Sequence, residues 1–251
     1  MDPSLHLVKD MGTPLPNPTS YRELVGRLLY LTITRPDITF AVHQLSQFIS
    51  APSDIHLQAA HKVLRYIKSN PGQGLMYSAD SEVCLNAFSD ADWAACKDTR
   101  RSVSGFCVYL DTSLISWKSK KQVVASRSST ESEYRSMAQA TCEIIWLQHL
   151  LRDLHVAVTC PAKLFCDNKS ALHISTNPVF HERTKHIEID CHTVRDQIKA
   201  GNLKALHVPT ENQHADILTK ALHPGPFHHL LRQMSLSSLY LPSQTSSKIV
   251  T

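Results

Sequence analysis

Four carboxylates recur at the ends of expected secondary-structure elements, in the order Asp90, Glu133, Asp167 and Asp216. Asp90 closes the apolar run Val83-Cys-Leu-Asn-Ala-Phe-Ser-Asp90, and Glu133 opens a long amphipathic helix. Asp167 closes Ala162-Lys-Leu-Phe-Cys-Asp167, and Asp216 lies in Gln213-His-Ala-Asp216. Carboxylates brought together repel one another unless cations neutralise them, so convergence of these four implies metal binding. Oxygen donors favour magnesium or manganese over zinc. Two hard cations held against a phosphodiester are the equipment of metal-dependent phosphodiester hydrolysis.

Each acid also has a local explanation. Thr130-Glu-Ser-Glu133 reads as a capping box, Asp167 as the N-cap of the next helix, and Asp90 as a turn initiator. Position argues the other way. Glu133 continues the line Met137, Ala140, Ile144, Leu147 and Leu151, the stripe that must pack on a sheet. Adjacent strands ending together would set Asp90 and Asp167 side by side, and neither apolar run supplies its aspartate with an evident basic partner.

The elements that must position these acids follow from periodicity and punctuation. Residues 1–19, with four prolines, read as an irregular lead-in. Ser20-Tyr-Arg-Glu23 fits a capping box for a first helix ending near Arg35, Asp37 begins a second, and Asp54 caps a third that Asn70-Pro-Gly72 breaks. Strands are expected at 83–90, 103–110, 113–117, 163–167 and 203–208. Helices are expected at 130–154, 169–176, 186–200 and from about 211. The fold class is α/β: an antiparallel meander with parallel additions, giving a mixed five-stranded sheet flanked by helices and preceded by a small three-helix unit. The expected divisions are 1–80 for the helical part, 81–222 for the sheet domain, and 223–251 for a short helix and a disordered serine-rich stretch, Ser235–Ser247.

Composition narrows the class. No apolar stretch approaches the roughly 20 residues that span a bilayer, and Met-Asp-Pro-Ser lacks the n-region and h-region of a signal peptide. Seven cysteines without Cys-x-x-Cys spacing argue against a disulfide framework or zinc ribbon, so an intracellular, reducing compartment is expected. The net charge of +4 is modest. Its distribution is not even: from Lys97 to Arg127 seven basic residues, among them Arg100 and Arg101, face two acidic ones. Such a surface suits a phosphate backbone, and equally a solvated hairpin whose lysines protect an edge strand. Trp93, Trp117 and Trp146 are read as core packing rather than base stacking, although Trp93 beside Asp90 could touch substrate.

Six ordered segments carry a resemblance. Phe88-Ser-Asp-Ala-Asp-Trp93 with Thr99-Arg-Arg-Ser-Val-Ser-Gly-Phe106, Ser128-Ser-Thr-Glu-Ser-Glu-Tyr134 and Cys166-Asp-Asn-Lys-Ser-Ala171 come first. Arg183-Thr-Lys-His-Ile-Glu-Ile-Asp190 and Gln213-His-Ala-Asp-Ile-Leu-Thr-Lys220 complete the set. Together they resemble the ribonuclease H domain of copia-type LTR-retrotransposon Pol polyproteins, especially those of plants. Upstream, Tyr21-Arg-Glu-Leu-Val-Gly-Arg-Leu-Leu-Tyr30, Thr34-Arg-Pro-Asp-Ile38 and the segment His56–Tyr66 are similar to the end of the reverse transcriptase in the same polyproteins.

The resemblance implies an Asp-Glu-Asp-Asp catalytic and metal-binding set at Asp90, Glu133, Asp167 and Asp216, with two Mg2+ ions (Mn2+ also possible). Asp92 is the rival for the first position. It implies an RNA/DNA hybrid as substrate, the remainder of a Pol polyprotein as partner, and substrate contacts from Arg100, Arg101, Ser128 and Asn168. No polymerase activity is expected, since no Tyr-x-Asp-Asp motif is present. A non-catalytic hybrid-binding fragment is the alternative. His207 and His214 are candidates for proton transfer, and His181, His186, Cys191 and His192 for a zinc site, although their spacing matches no compact zinc pattern.

Overall fold

Hydrophobic spacing changes from helical to alternating near residue 75, and the architecture changes there too. A computed structural model describes residues 3–79, 83–158, 160–177 and 188–240. Helices α1 (Thr19–Leu31), α2 (Thr39–Ser46) and α3 (Asp54–Ser69) form the expected three-helix unit, with a 3-10 turn, Pro36–Ile38, between the first two. Its core is Tyr21, Val25, Leu28, Ile38, Val42, Leu45 and Ala60. The Thr34–Ile38 motif has a structural role: Arg35 pairs with Asp37 at 2.7 Å in the buried interior, and Tyr66 donates to the same carboxylate at 2.7 Å. The pair is therefore both charge-matched and hydrogen-bonded.

Two expected helix caps are displaced toward the N-terminus, by two residues in α1 and one in α3. Helix α1 begins at Thr19 after Pro18, without a side-chain cap, so Ser20 and Glu23 form no capping box. Helix α3 is capped by Ser53, whose backbone N–H donates to His56 Nδ1 at 3.0 Å, while Asp54 accepts from Thr13 N–H at 2.7 Å.

The main sheet comprises β2 (Leu85–Asp92), β3 (Val103–Leu110), β4 (Ser113–Lys121), β5 (Ala162–Cys166) and β6 (Leu203–His207) in the order β4-β3-β2-β5-β6; the short β1 (Gln73–Leu75) lies outside it. β2, β3 and β4 form the antiparallel meander, and β5 and β6 add in parallel. Helices α4 (Ser129–Asp153), α5 (Lys169–Thr176) and α6 (Glu188–Lys199) connect the parallel strands. They bury Met137, Ala140, Ile144 and Leu147 against Leu85, Ala87, Val108 and Leu164. The stripe read from α4 is thus the face that meets the sheet.

The other face carries more than expected. Two 3-10 helices, Thr210–Asn212 and His214–Leu218, replace the helix expected from residue 211. Helix α7 (Pro224–Gln233) and β7 (Leu236–Ser238) follow, and β7 pairs antiparallel with β1. Leu230, Met234 and Leu236 pack with Cys107, Tyr109, Leu114 and Leu218. Residues 235–240 are therefore ordered rather than part of a disordered tail, because apolar Leu236 closes a core; residues 241–247 lie outside the described residues.

The three-helix unit docks on this face. Trp117 Nε1 donates to the Thr32 carbonyl at 3.0 Å, and Lys121 donates its backbone N–H to His43 Nε2 at 3.1 Å and its Nζ to Gln47 at 2.6 Å. Burial, with Lys121 and Lys120 nearby, lowers the His43 pKa to about 4, which keeps its imidazole neutral as an acceptor. Of the other tryptophans, Trp93 is half-exposed and Trp146 exposed, so core packing does not account for them. Lys118 and Lys120 stand exposed on β4, an edge strand. A single disulfide, Cys84–Cys160, falls short of the disulfide framework that the cysteine spacing argued against: both cysteines precede the parallel neighbours β2 and β5, which brings their Cα atoms to 6.0 Å. Among the described residues no helix is long and apolar enough to cross a membrane.

Candidate active site

Register brings the first and third acids together. Phe88 and Phe165 are partners on the parallel strands β2 and β5 and stack at 4.8 Å, and Asp90 and Asp167 each stand two residues further on. Asp90 lies inside β2, which runs on to Asp92, rather than just after the strand. It is 1% exposed, whereas Asp92 is half-buried two residues on, on the same face of the strand.

Capping leaves Glu133 free for the site. Ser128, not Thr130, is the N-cap of α4, accepting from Glu131 N–H at 3.1 Å, and Glu131 accepts from Arg127 N–H at 2.8 Å. Asn168 likewise caps α5 through Ala171 N–H at 3.0 Å, so Asp167 is not the cap and instead accepts from the Thr210 hydroxyl at 3.0 Å. Both local explanations thus pass to neighbouring residues. Glu133, Cys166 and Asp167 each offer a ligand atom within 4.8 Å of the others.

Asp216 arrives from the opposite face on the 3-10 helix His214–Leu218. Lys220 ties it to Asp90, with Nζ 2.9 Å from Asp216 and 3.3 Å from Asp90, and Thr219 donates its hydroxyl to Asp90. Asp90 therefore does have a basic partner, which the strand sequence alone did not reveal. The spacing Asp216-x-x-x-Lys220 was the available signal, since residues four apart on one helical turn face each other.

Gly105 makes this approach possible. It pairs with Asp90 across the sheet, and a Cβ there would lie 2.7 Å from Thr219 Cγ2 and 2.8 Å from Leu218 Cβ. Gly105→Ala is expected to lift the segment carrying Asp216, costing about 1–3 kcal/mol and weakening metal binding. Thermal melts with and without Mg2+ check this; an unchanged melting temperature would contradict it.

Electrostatics records the crowding. Burial, with Asp90 and Asp167 nearby, pushes the Glu133 pKa up to about 9, and burial with Asp90 pushes Asp216 to about 7. Burial would lower Lys220, but Asp90 and Asp216 overcome it and hold its pKa above the ordinary lysine value. Cys166 is raised by burial and then by Glu133, so its thiol keeps its proton and the available donors are carboxylate oxygens. Such a set fits a hard divalent cation.

The remaining candidates separate. Arg100 is exposed and Arg101 half-buried, in the turn between β2 and β3; Ser128 and Asn168 are engaged as caps. His214 is stacked on Phe88 at 4.0 Å and paired with the Tyr109 hydroxyl at 3.1 Å; burial, then His229, lowers its pKa to about 4. It is an aromatic-core residue. His207 is exposed at the end of β6, paired in register with Cys166. Cys191 is buried in the core and His192 exposed, while His181 and His186 lie outside the described residues.

No family model matches the chain. It is 45% identical over 237 residues to the retrovirus-related Pol polyprotein from transposon RE1 of Arabidopsis thaliana, covering 94% of this chain and 16% of that protein. To the corresponding polyprotein from transposon TNT 1-94 of Nicotiana tabacum it is 35% identical over 208 residues, covering 82% and 16%. Over 94% of its length the chain is homologous to a segment of retrotransposon Pol polyproteins. It spans about 16% of the length of the Pol polyproteins it matches. Among solved structures, the N-terminal RNase H domain of a Mycobacterium tuberculosis protein is similar at a TM-score of 0.40 and 12% identity, covering 60% of this chain and 98% of that one. A likeness of that size adds nothing to the topology described above. The mixed five-stranded sheet flanked by helices is the architecture expected from the sequence.

Proposed function

We propose that this part of the Pol polyprotein is a metal-dependent endonuclease that hydrolyses the RNA strand of RNA/DNA hybrids during retrotransposon replication of the copia type. The observations that support the reading are Glu133 and Asp167, which offer ligand atoms within 4.8 Å, and Asp90 and Asp216, which share Lys220, with Asp90 near enough to raise the pKa of both Glu133 and Asp216. Carboxylates kept together in a buried cluster at an unfavourable electrostatic cost are characteristic of sites built for function rather than stability.

Glu133, Asp167, Asp90 and Asp216 would hold Mg2+ or Mn2+. Bound there, the ions would activate water and stabilise charge on the departing 3′ oxygen. Thr219 and Lys220 hold Asp90 in place, and Thr210 orients Asp167. Arg100 and Arg101 are suited to the phosphate backbone. The Ser128 hydroxyl and the Asn168 amide, whose oxygens act as caps, retain donors for the substrate.

The functional unit in this reading extends through residue 240, because α7 and β7 close the core beneath Asp216. The three-helix unit is the end of the reverse transcriptase, docked as a support. Labelled RNA/DNA hybrid, RNA duplex and DNA duplex, incubated with the purified chain and Mg2+, test the proposal. Cleavage confined to the RNA of the hybrid, leaving 5′-phosphate ends and abolished by EDTA, is expected. Equal cutting of all three would contradict the substrate assignment.

A further inference from the structure

Charge is distributed unevenly within the acidic cluster. On one side, the Lys220 ammonium lies between Asp90 and Asp216 at 3.3 and 2.9 Å, on a side chain 32% exposed. On the other, Glu133 and Asp167 offer ligand atoms within 4.8 Å, and among the described residues neither forms an ion pair with a basic side chain. An ammonium is a compact point charge with three donors, able to satisfy two carboxylates at once. A cation shared by Asp90 and Asp216 would stand roughly 2.0–2.6 Å from their oxygens, and the ammonium competes with it for the same two carboxylates from 3.3 and 2.9 Å.

We propose that Lys220 is a resident counter-cation that fills one of the two cation positions, so that the resting chain takes a single divalent ion, on the Glu133–Asp167 side. Lys220 is then a positioning residue. It aligns Asp90 and Asp216 without metal and sets how many ions the site accepts before substrate arrives. Lys220 follows the 3-10 helix by two residues, and its backbone N–H donates to the Asp216 carbonyl at 2.9 Å, which keeps the base of the side chain beside Asp216 while both carboxylates attract the ammonium. This inference rests on the reading of the cluster as a cation site, but its test does not require cleavage.

Titration of the full chain with Mn2+, read by the electron paramagnetic resonance of the free ion, counts bound ions directly. The wild type is expected to bind one ion tightly and Lys220→Met two, the second at least about tenfold more tightly than in the wild type, because a neighbouring positive charge has gone. Lys220→Arg keeps the charge and should return to one. Two ions of equal affinity in the wild type, or one ion at unchanged affinity in a folded Lys220→Met, would overturn the proposal. If Lys220→Met folds only when Mn2+ is added, the counter-cation role is supported. If it folds in neither condition, the wild-type and Lys220→Arg counts decide. Ion counts that match while hybrid cleavage is absent would sink the nuclease reading and leave this one standing.

Discussion

Glu133→Gln is expected to make the metal-free protein more stable at pH 8 while reducing hybrid cleavage by at least about two orders of magnitude. Both effects come from one cause. Burial and the neighbouring Asp90 and Asp167 carboxylates raise Glu133 from 4.5 to about 9 in the folded chain. At a pH between those values the unfolded chain has ionised this group, whereas the fold must hold its proton. Stability from Glu133 is therefore full below about pH 4.5 and declines as pH rises toward 9, with Asp216 adding a decline between 3.8 and about 7. Glutamine keeps the shape without the proton cost, so the gain should be present at pH 8 and absent at pH 4. Each 1 kcal/mol recovered raises the melting temperature by about 2–4 °C at this size. Catalysis moves the other way, since a neutral amide is a poor ligand for a hard cation. Melts in EDTA at the two pH values, with hybrid cleavage in Mg2+, check both halves; a variant less stable than wild type at pH 8, or one that cleaves normally, would contradict the account.

Ending the chain at residue 222 is expected to abolish cooperative folding. That truncation removes Leu230, Met234 and Leu236, which are 4%, 0% and 8% exposed and pack on Cys107, Tyr109 and Leu218. Emptying a buried position of this size costs about 2–5 kcal/mol, so three together rival the roughly 5–15 kcal/mol by which a domain is stable. The 3-10 helix bearing Asp216 would lose its packing, and β1 would lose its partner β7. Circular dichroism melts of residues 1–222 and of the full chain make the comparison. A sharp transition in the shorter chain within a few degrees of the longer would show that α7 and β7 are dispensable.

Periodicity and register explain why much of this was legible in the sequence. The stripe from Met137 to Leu147 identified the buried face of α4, and the alternation of apolar runs identified the meander and its parallel additions. Local hydrogen bonds were harder to read. Ser128 caps α4 although Thr130-Glu-Ser-Glu133 fits the same capping pattern as Ser128-Ser-Thr-Glu131, and Asn168 caps α5 in place of its acidic neighbour, because the first residue to leave the helical conformation decides the cap and that depends on the preceding chain. Individual side-chain contacts between distant segments were not legible. The disulfide joins residues 76 positions apart, and the space at Gly105 is filled by Thr219 and Leu218, which only tertiary packing brings there. Lys220 lies between these cases: its spacing from Asp216 was visible, its reach to Asp90 was not.

In the proposed function these carboxylates act together on an RNA phosphodiester. The most direct measurement is cleavage of a labelled RNA/DNA hybrid in Mg2+ by the wild type and by Asp167→Asn, both shown to be folded by circular dichroism. Cutting of the RNA strand by the wild type and a loss of at least about a hundredfold in the variant are expected. Equal cleavage by the two proteins, or none by a folded wild type, would contradict the proposed function.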